Sequence, residues 1–131
     1  DFGHISNVGF VAGLMPGGPY MATYYATKSY VVSLTNALAE ELKLLGSHAQ
    51  VHALCPGPVN TEFNDVANVK FSLKGISARE CVSYCIDEAD KGKIIIVPNM
   101  MVKAAAIASK FVPREIVLGI VARSQKSKIE R

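Results

Sequence analysis

Tyr24 and Lys28 are the two residues of this sequence whose types and spacing best suit proton transfer. Because they are four residues apart, both side chains would lie on one face of a helix, one turn from each other. A phenol with a pKa of about 10 is a poor acid or base at neutral pH, and a neighbouring ammonium group lowers that pKa. The pair is therefore a candidate acid–base unit, and a solvated helix face is the alternative interpretation.

A second candidate site is the turn that begins at Pro56. It directly follows the short apolar run Gln50–Cys55, which has strand character. Ligands of open parallel sheets bind at the carboxyl ends of the strands. The turn would present backbone groups to such a ligand, and Thr61 would add a hydroxyl. An ordinary turn that ends a strand is the alternative.

Short apolar runs alternate with segments of helical periodicity along the chain. The leucine-rich stripe of the first helix has steps of three and four, and Ser77 with Glu80 forms a capping box that opens the second helix. Residues 60–76 are polar and irregular. We predict strands at 3–8, 50–55 and 93–97 and helices at about 20–45, 77–91, 99–111 and 113–123; the stripe consists of Val31, Leu34, Leu38, Leu42 and Leu45.

This alternation predicts an α/β fold with a doubly wound parallel sheet of about three strands, followed by C-terminal helices. Parallel sheets usually have more strands, and an edge strand as apolar as residues 3–8 would normally have a neighbour. The sequence is therefore typical of the second half of a larger domain. We divide it into residues 1–98, which carry the sheet, and residues 99–131, a basic amphipathic helical extension.

The order and spacing of these segments resemble those of the short-chain dehydrogenase/reductase family. The resemblance rests on Ala12-Gly13, on Tyr24-x-Ala26-Thr27-Lys28 and on Pro56-Gly57-x-Val59-x-Thr61, with a long helix between the last two. It covers residue 3 to about residue 97, and the basic helical tail is similar to that of some bacterial members. The resemblance implies the C-terminal half of a Rossmann-type domain.

The resemblance further implies an NAD(P)-dependent oxidoreductase that transfers a hydride between a carbonyl compound and an alcohol. In the family, the tyrosine is the general acid/base, and the lysine binds the nicotinamide ribose and lowers the tyrosine pKa. These roles fall on Tyr24 and Lys28, both of which also count as cofactor-binding residues. The loop that contacts the nicotinamide end of NAD or NADP corresponds to Pro56, Gly57, Val59 and Thr61.

Phe10 occupies the position at which the family has a serine. The serine hydroxyl would bond the reacting oxygen, and loss of a comparable donor costs ~10²–10³ in rate. Ser6 is no substitute, because four strand residues place it about 13 Å away. The family's glycine-rich phosphate turn, its ribose-reading residue and its Asn-Asn-Ala-Gly segment are also missing from these 131 residues. We therefore expect this chain alone to be nearly inactive.

The cysteines and histidines do not predict a metal site. Cys81 and Cys85 share a helix face but have no evident third ligand, and the histidines lack zinc-type spacing. Small buried thiols are the expected alternative, and Cys55 should pack in the sheet. No secretory leader is visible, and three cysteines fit a reducing cytoplasm.

The net charge of +3 hides two unlike halves. Residues 1–90 carry five Lys/Arg and nine Asp/Glu, whereas residues 91–131 carry nine and two, a net of +7.

Glycines and prolines interrupt the uncharged run 5–27, which excludes a transmembrane helix there. A non-catalytic interaction module is therefore the alternative function, either a homo-oligomer through the Tyr24–Leu45 helix or a peripheral membrane protein through residues 99–131. No nucleic-acid partner is expected, because aromatic residues do not interleave the basic ones.

Overall fold

A parallel sheet of three strands forms the centre of the computed structural model, which describes residues 2–61 and 75–129. The strands are β1 (Phe2–Val8), β2 (His48–Leu54) and β5 (Ile95–Ile96), in the order β1-β2-β5. β1 and β2 pair along their whole length, from Phe2 opposite His48 to Val8 opposite Leu54. The predicted α/β fold is confirmed, although β5 is shorter than the predicted segment 93–97.

The described residues also form four α-helices and one 3-10 turn. Tyr20 has a φ of 68°, so the first helix begins after it rather than at the predicted residue 20. In the part of the chain that the structure describes, no helix has the length and apolar character needed to cross a membrane. The turn covers Val11–Leu14, and helices α1 to α4 cover Ala22–Leu44, Ala78–Asp90, Met100–Ala108 and Arg114–Ile129.

Two short strands, β3 (Val59–Asn60) and β4 (Ile76–Ser77), form a second parallel pair. The sequence analysis predicted that residues 60–76 are irregular. This is wrong for Asn60 and Ile76, which lie in the paired strands, and residues 62–74 lie outside the described residues. The Asn60 amide donates to the Gly75 carbonyl at 3.1 Å, and the Ile76 N–H donates to the Pro58 carbonyl at 3.2 Å. These bonds fix the path of the turn after Pro56.

Helices cover the sheet on both faces. Because successive strand residues point to opposite faces, Ala53 and Leu54 of β2 belong to different core clusters. The three cysteines are buried and free, in agreement with the sequence analysis. The first cluster lies towards α1 and α3 and contains Val32, Ala53, Cys55, Val97 and Val102; the second lies towards α2 and contains Leu54, Cys81, Cys85, Ala89 and Ile96.

The leucine stripe of α1 packs only partly on the rest of the protein. Val32 and Thr35 are the buried residues of this helix, whereas Leu45, at its end, is 80% exposed. The Thr35 hydroxyl donates to the Val31 carbonyl at 2.8 Å and accepts from the Asn7 amide at 3.0 Å. The link connects the fully buried side of the helix to β1, while three stripe residues beside it are half-buried and two are exposed: Val31, Leu38 and Leu42, and Leu34 and Leu45.

Ion pairs connect the end of α2 to the segment that leads into β5. Glu88 is buried, and its carboxylate accepts hydrogen bonds from the Lys91 and Lys93 ammonium groups. These bonds hold the pKa of Glu88 at about 2, well below its ordinary value of 4.5. At the other end of α2, Ser77 and Glu80 form the predicted capping box.

α4 packs against the loop before α1 and against the first turn of α1. The Gln125 amide donates to the Tyr25 hydroxyl at 3.2 Å, and Val117 and Val121 are buried on the same face of α4. At Gly18, an added Cβ atom would overlap the Tyr25 ring. The loop, the tyrosine and α4 therefore form one packed unit.

We expect the Glu88→Gln variant to lose part of the pH dependence of stability. Since the folded-state pKa of Glu88 is depressed, its stabilisation is complete above about pH 4.5 and is lost as the pH falls towards 2. Urea unfolding between pH 7 and pH 2 should show a smaller decrease in the free energy of unfolding for the variant. Asp87→Asn, an exposed position of the same helix, is the control; equal changes in both variants would contradict the assignment.

We expect Gly18→Ala to destabilise the protein by about 1–3 kcal/mol, because the new methyl group has no room beside the Tyr25 ring. Thermal or urea unfolding measures the change. Gly119→Ala is the matched control, since no atom lies within 4 Å of a Cβ atom at this α4 position. It should leave stability unchanged or raise it by up to ~1 kcal/mol. Equal effects at the two positions would refute the packing argument.

Candidate active site

Backbone hydrogen bonds fix Phe10 at the carboxyl end of β1. The Gly9 N–H donates to the Leu54 carbonyl at 2.8 Å, and the Val11 N–H donates to the Pro56 carbonyl at 2.9 Å. Phe10, between them, has extended backbone angles and precedes the 3-10 turn. The segment around Phe10 is thus tied to β2 and to the turn that follows β2.

Gly13 allows the 3-10 turn to lie directly on α1. Its N–H donates to the Phe10 carbonyl at 2.9 Å, and its own carbonyl accepts from the Ser29 hydroxyl at 3.4 Å. A Cβ atom at this position would overlap the Lys28 carbonyl, so a larger residue would push the turn away from the helix. This close contact explains why the motif has glycine at position 13.

The close approach brings Phe10 against Tyr24. Their ring centroids are 5.8 Å apart at an interplanar angle of 67°, an edge-to-face contact. The Lys28 Nζ atom lies 5.7 Å from the centre of the Tyr24 ring, so the lysine lies over the ring face. The structure therefore places Tyr24 and Lys28 side by side, one helical turn apart, as their spacing predicts.

The pKa of Tyr24 corrects one expectation. The sequence analysis expected Lys28 to lower it, but burial of the phenol raises the pKa above its ordinary value, and the neighbouring Tyr25 phenol raises it further. Burial disfavours the charged phenolate because a partly buried group loses hydration. At neutral pH, the Tyr24 hydroxyl is therefore protonated in this chain.

The turn after β2 joins this centre through its first residues. Pro56 and Gly57 are buried, and a Cβ atom at Gly57 would lie 2.9 Å from the Val102 side chain of α3. Val59 pairs with β4. Thr61 is exposed, and no contact among the described residues connects it with Tyr24 or Lys28.

Cys55 lies between the two parts of the candidate site. Burial raises the pKa of its thiol to about 11, and a hydrogen bond from the Phe10 backbone and the positive charge of Lys28 partly oppose this increase. The thiol is therefore protonated at neutral pH and fully buried, a packing group rather than a nucleophile. Cys55 and Lys28 are therefore close enough to interact electrostatically.

Ser6 does not replace the hydroxyl that Phe10 lacks. It forms a hydrogen bond with the His52 ring, 2.5 Å between Oγ and Nε2. The adjacent Asn7 bonds to Thr35 of α1, so Ser6 points to the sheet face opposite α1 and Tyr24. Burial lowers the pKa of His52, with a further decrease from the nearby His4. This polar group belongs to the other side of the sheet.

Sequence reasoning missed the residues that hold Tyr25. Gly18 and Gln125 contact it from the preceding loop and from α4, and the Gln125 contact joins residues 100 positions apart. A glycine pair before the tyrosines was the available signal, whereas nothing in the spacing pointed to Gln125.

Among the described residues, no three His, Cys, Asp or Glu side chains form a group that could hold a metal ion.

Comparisons with known proteins point to one family. The short chain dehydrogenase family model matches residues 1–70. An uncharacterized oxidoreductase of Staphylococcus saprophyticus is 30% identical over 105 residues, which cover 70% of this chain and 42% of the relative. The inactive 2-(S)-hydroxypropyl-CoM dehydrogenase 2 of Xanthobacter autotrophicus is 49% identical over 57 residues, which cover 44% and 24%.

A solved structure shows the same fold. The short-chain dehydrogenase of Sphingobium yanoikuyae, in complex with NADPH, superimposes with a TM-score of 0.65 at 29% identity and covers 80% of this chain and 41% of the other. The chain thus spans less than half of the length of each of these three proteins. Because the family model covers more than half of its residues, the chain belongs to the short-chain dehydrogenase family of oxidoreductases.

Proposed function

We propose that the chain carries the acid–base and nicotinamide-side residues of an NAD(P)-dependent oxidoreductase that interconverts a small carbonyl compound and its alcohol. The observation that supports this function most strongly is the Tyr24–Lys28 pair, held beside Phe10 at the carboxyl end of β1. Ligands of open α/β sheets bind at this end. We assign catalysis to Tyr24 and Lys28.

Tyr24 would give its hydroxyl proton to the carbonyl oxygen in the reduction and recover it in the oxidation. The phenol is protonated at neutral pH, as the proton donor of the reduction must be, although burial raises its pKa and makes it a weaker acid than an exposed tyrosine. The Lys28 ammonium group has no hydrogen-bond acceptor among the described residues, so its N–H groups can bind ribose hydroxyls. When bound, the nicotinamide would supply or accept the hydride.

The cofactor is NAD or NADP. The Sphingobium relative binds NADPH, and the turn after β2 lies beside the strand end that carries Phe10. Alongside Tyr24 and Lys28, we assign contacts with the nicotinamide end to Pro56, Gly57, Val59 and Thr61. These 131 residues have no glycine-rich phosphate turn, so we assign full cofactor affinity to a protein of the relatives' length and little activity to this chain alone.

The division into residues 1–98 and 99–131 remains part of the proposal. Val102 of α3 packs in the same core cluster as Ala53 of β2, so the basic segment is attached to the sheet through shared packing. We place the protein in the cytoplasm, with which its three free cysteines are compatible.

Phe10 should limit the reaction. A phenyl ring provides no hydrogen-bond donor for the reacting oxygen, and it fills space beside Tyr24. In a chain extended upstream to the length of its relatives, we expect Phe10→Ser to raise the reductase rate about 10²–10³-fold. The rate is measured as consumption of reduced nicotinamide cofactor.

Tyr24→Phe in the Phe10→Ser background should abolish the gain, because the acid is lost, whereas Tyr25→Phe should retain most of it. An unchanged rate in Phe10→Ser would show that the missing serine does not limit the reaction. Equal losses in the two tyrosine variants would remove the special role of Tyr24.

A second function, as a non-catalytic interaction module, is favoured by one observation. Several large apolar side chains of the α3–α4 region are exposed, including Phe111 at 85%, and they lie beside basic residues. Such a surface fits the interface of an anionic membrane. The exposed part of α1, with Leu45 at 80%, would instead fit a second copy of the chain.

We expect the membrane alternative, if correct, to give salt-sensitive binding to phosphatidylglycerol vesicles and none to phosphatidylcholine vesicles in a flotation assay. Phe111→Asp should remove the binding, whereas Leu45→Asp, an equally exposed position of the α1 end, should not. If Leu45→Asp alone changes the behaviour, and changes it towards a smaller oligomer, self-association through α1 is the correct alternative.

A further inference from the structure

A cavity of about 360 Å³ lies between the loop that precedes α1 and the junction of α3 with α4. Residues 13–16 form one wall. The opposite wall includes Ser109, Lys110 and Arg114. A site of this size can hold a small organic molecule or one end of a larger one.

The charges around the cavity have one sign. Lys110 and Arg114 are its charged lining residues, and no acidic side chain of the described residues lines it. Among the residues that the structure describes, the ion pairs use Lys43, Lys91 and Lys93, so neither cavity cation is neutralised by a carboxylate. The cavity therefore presents two uncompensated positive charges.

Packing fixes the loop wall in place. Gly13 contacts the Lys28 carbonyl of α1, and a Cβ atom at Gly17 would lie 3.2 Å from the Leu118 side chain of α4. At the end of the loop, Gly18 lies against the Tyr25 ring. The wall is thus held from both sides, and a ligand would meet an open cavity with one packed wall and exposed side chains, including Lys110 and Arg114, on the other.

We propose that this cavity binds a small oxyanion, a carboxylate or a phosphate group, through Lys110 and Arg114. An arginine can bond two oxygens of such a group at once, and a lysine adds a point charge. This inference rests on the proposed oxidoreductase function if the oxyanion is the anionic end of the substrate. Free phosphate is the other possible source of the oxyanion.

Binding can be measured on the 131-residue chain by NMR titration with inorganic phosphate, acetoacetate, acetate and the neutral 2-butanone. We expect saturable shifts of the Gly13–Met15 amides with the three anions and none with 2-butanone. Lys110→Gln and Arg114→Gln should each weaken anion binding about tenfold, as expected for loss of one charge-assisted bond. Tighter binding of acetoacetate than of acetate identifies a substrate, and equal binding identifies a free anion.

Arg123→Gln is the matched control, because it removes the same charge from an exposed position of α4. If it weakens binding as much as Arg114→Gln, the effect is diffuse attraction by the basic tail, and the proposed site is wrong. Absence of saturable shifts at Gly13–Met15 also overturns it. The titration involves no hydride transfer, so its failure leaves the proposed oxidoreductase function standing, and an inactive enzyme leaves the anion site standing.

Discussion

The contact of Gly13 with the Lys28 carbonyl sets the geometry of everything around the candidate site. Because no side chain separates the 3-10 turn from α1, Phe10 can reach Tyr24 across the strand end. The same contact fixes the beginning of the loop on which α4 packs. A glycine at one turn thus couples β1, α1 and α4, and a larger residue would disturb all three together.

The chemistry of Tyr24 follows from competition between burial and charge. Lys28 lies over the Tyr24 ring, yet burial of the phenol and the neighbouring Tyr25 phenol raise the pKa of Tyr24. A phenol in this setting stays protonated at neutral pH and is a weaker acid than an exposed tyrosine. Phe10 provides no hydroxyl at this strand end, and it places an apolar ring beside Tyr24.

Features with local causes could be predicted from the sequence, and features with distant causes could not. The capping box depends on two residues three apart, and β1 depends on one short apolar run; both were predicted correctly. The buried face of α1 was missed because the Asn7–Thr35 hydrogen bond, not leucine spacing, orients the helix. The two-residue strands carry no periodic signal, and the Gln125–Tyr25 contact joins distant segments. Lys28 was expected to lower the pKa of Tyr24, but that pKa is raised, because residue spacing does not show how far the phenol is buried.

The outer edge of β1 has a consequence for assembly. Among the described strands, β1 pairs with β2 alone, and Ile5 and Val8 remain 57% and 67% exposed. The backbone groups of its outer edge can accept another strand without any change in the core. A strand that continues the sheet would cover these side chains, and so would a strand from an unrelated chain. Any strand that pairs with this edge, from this protein or from another chain, would therefore use the same row of hydrogen bonds.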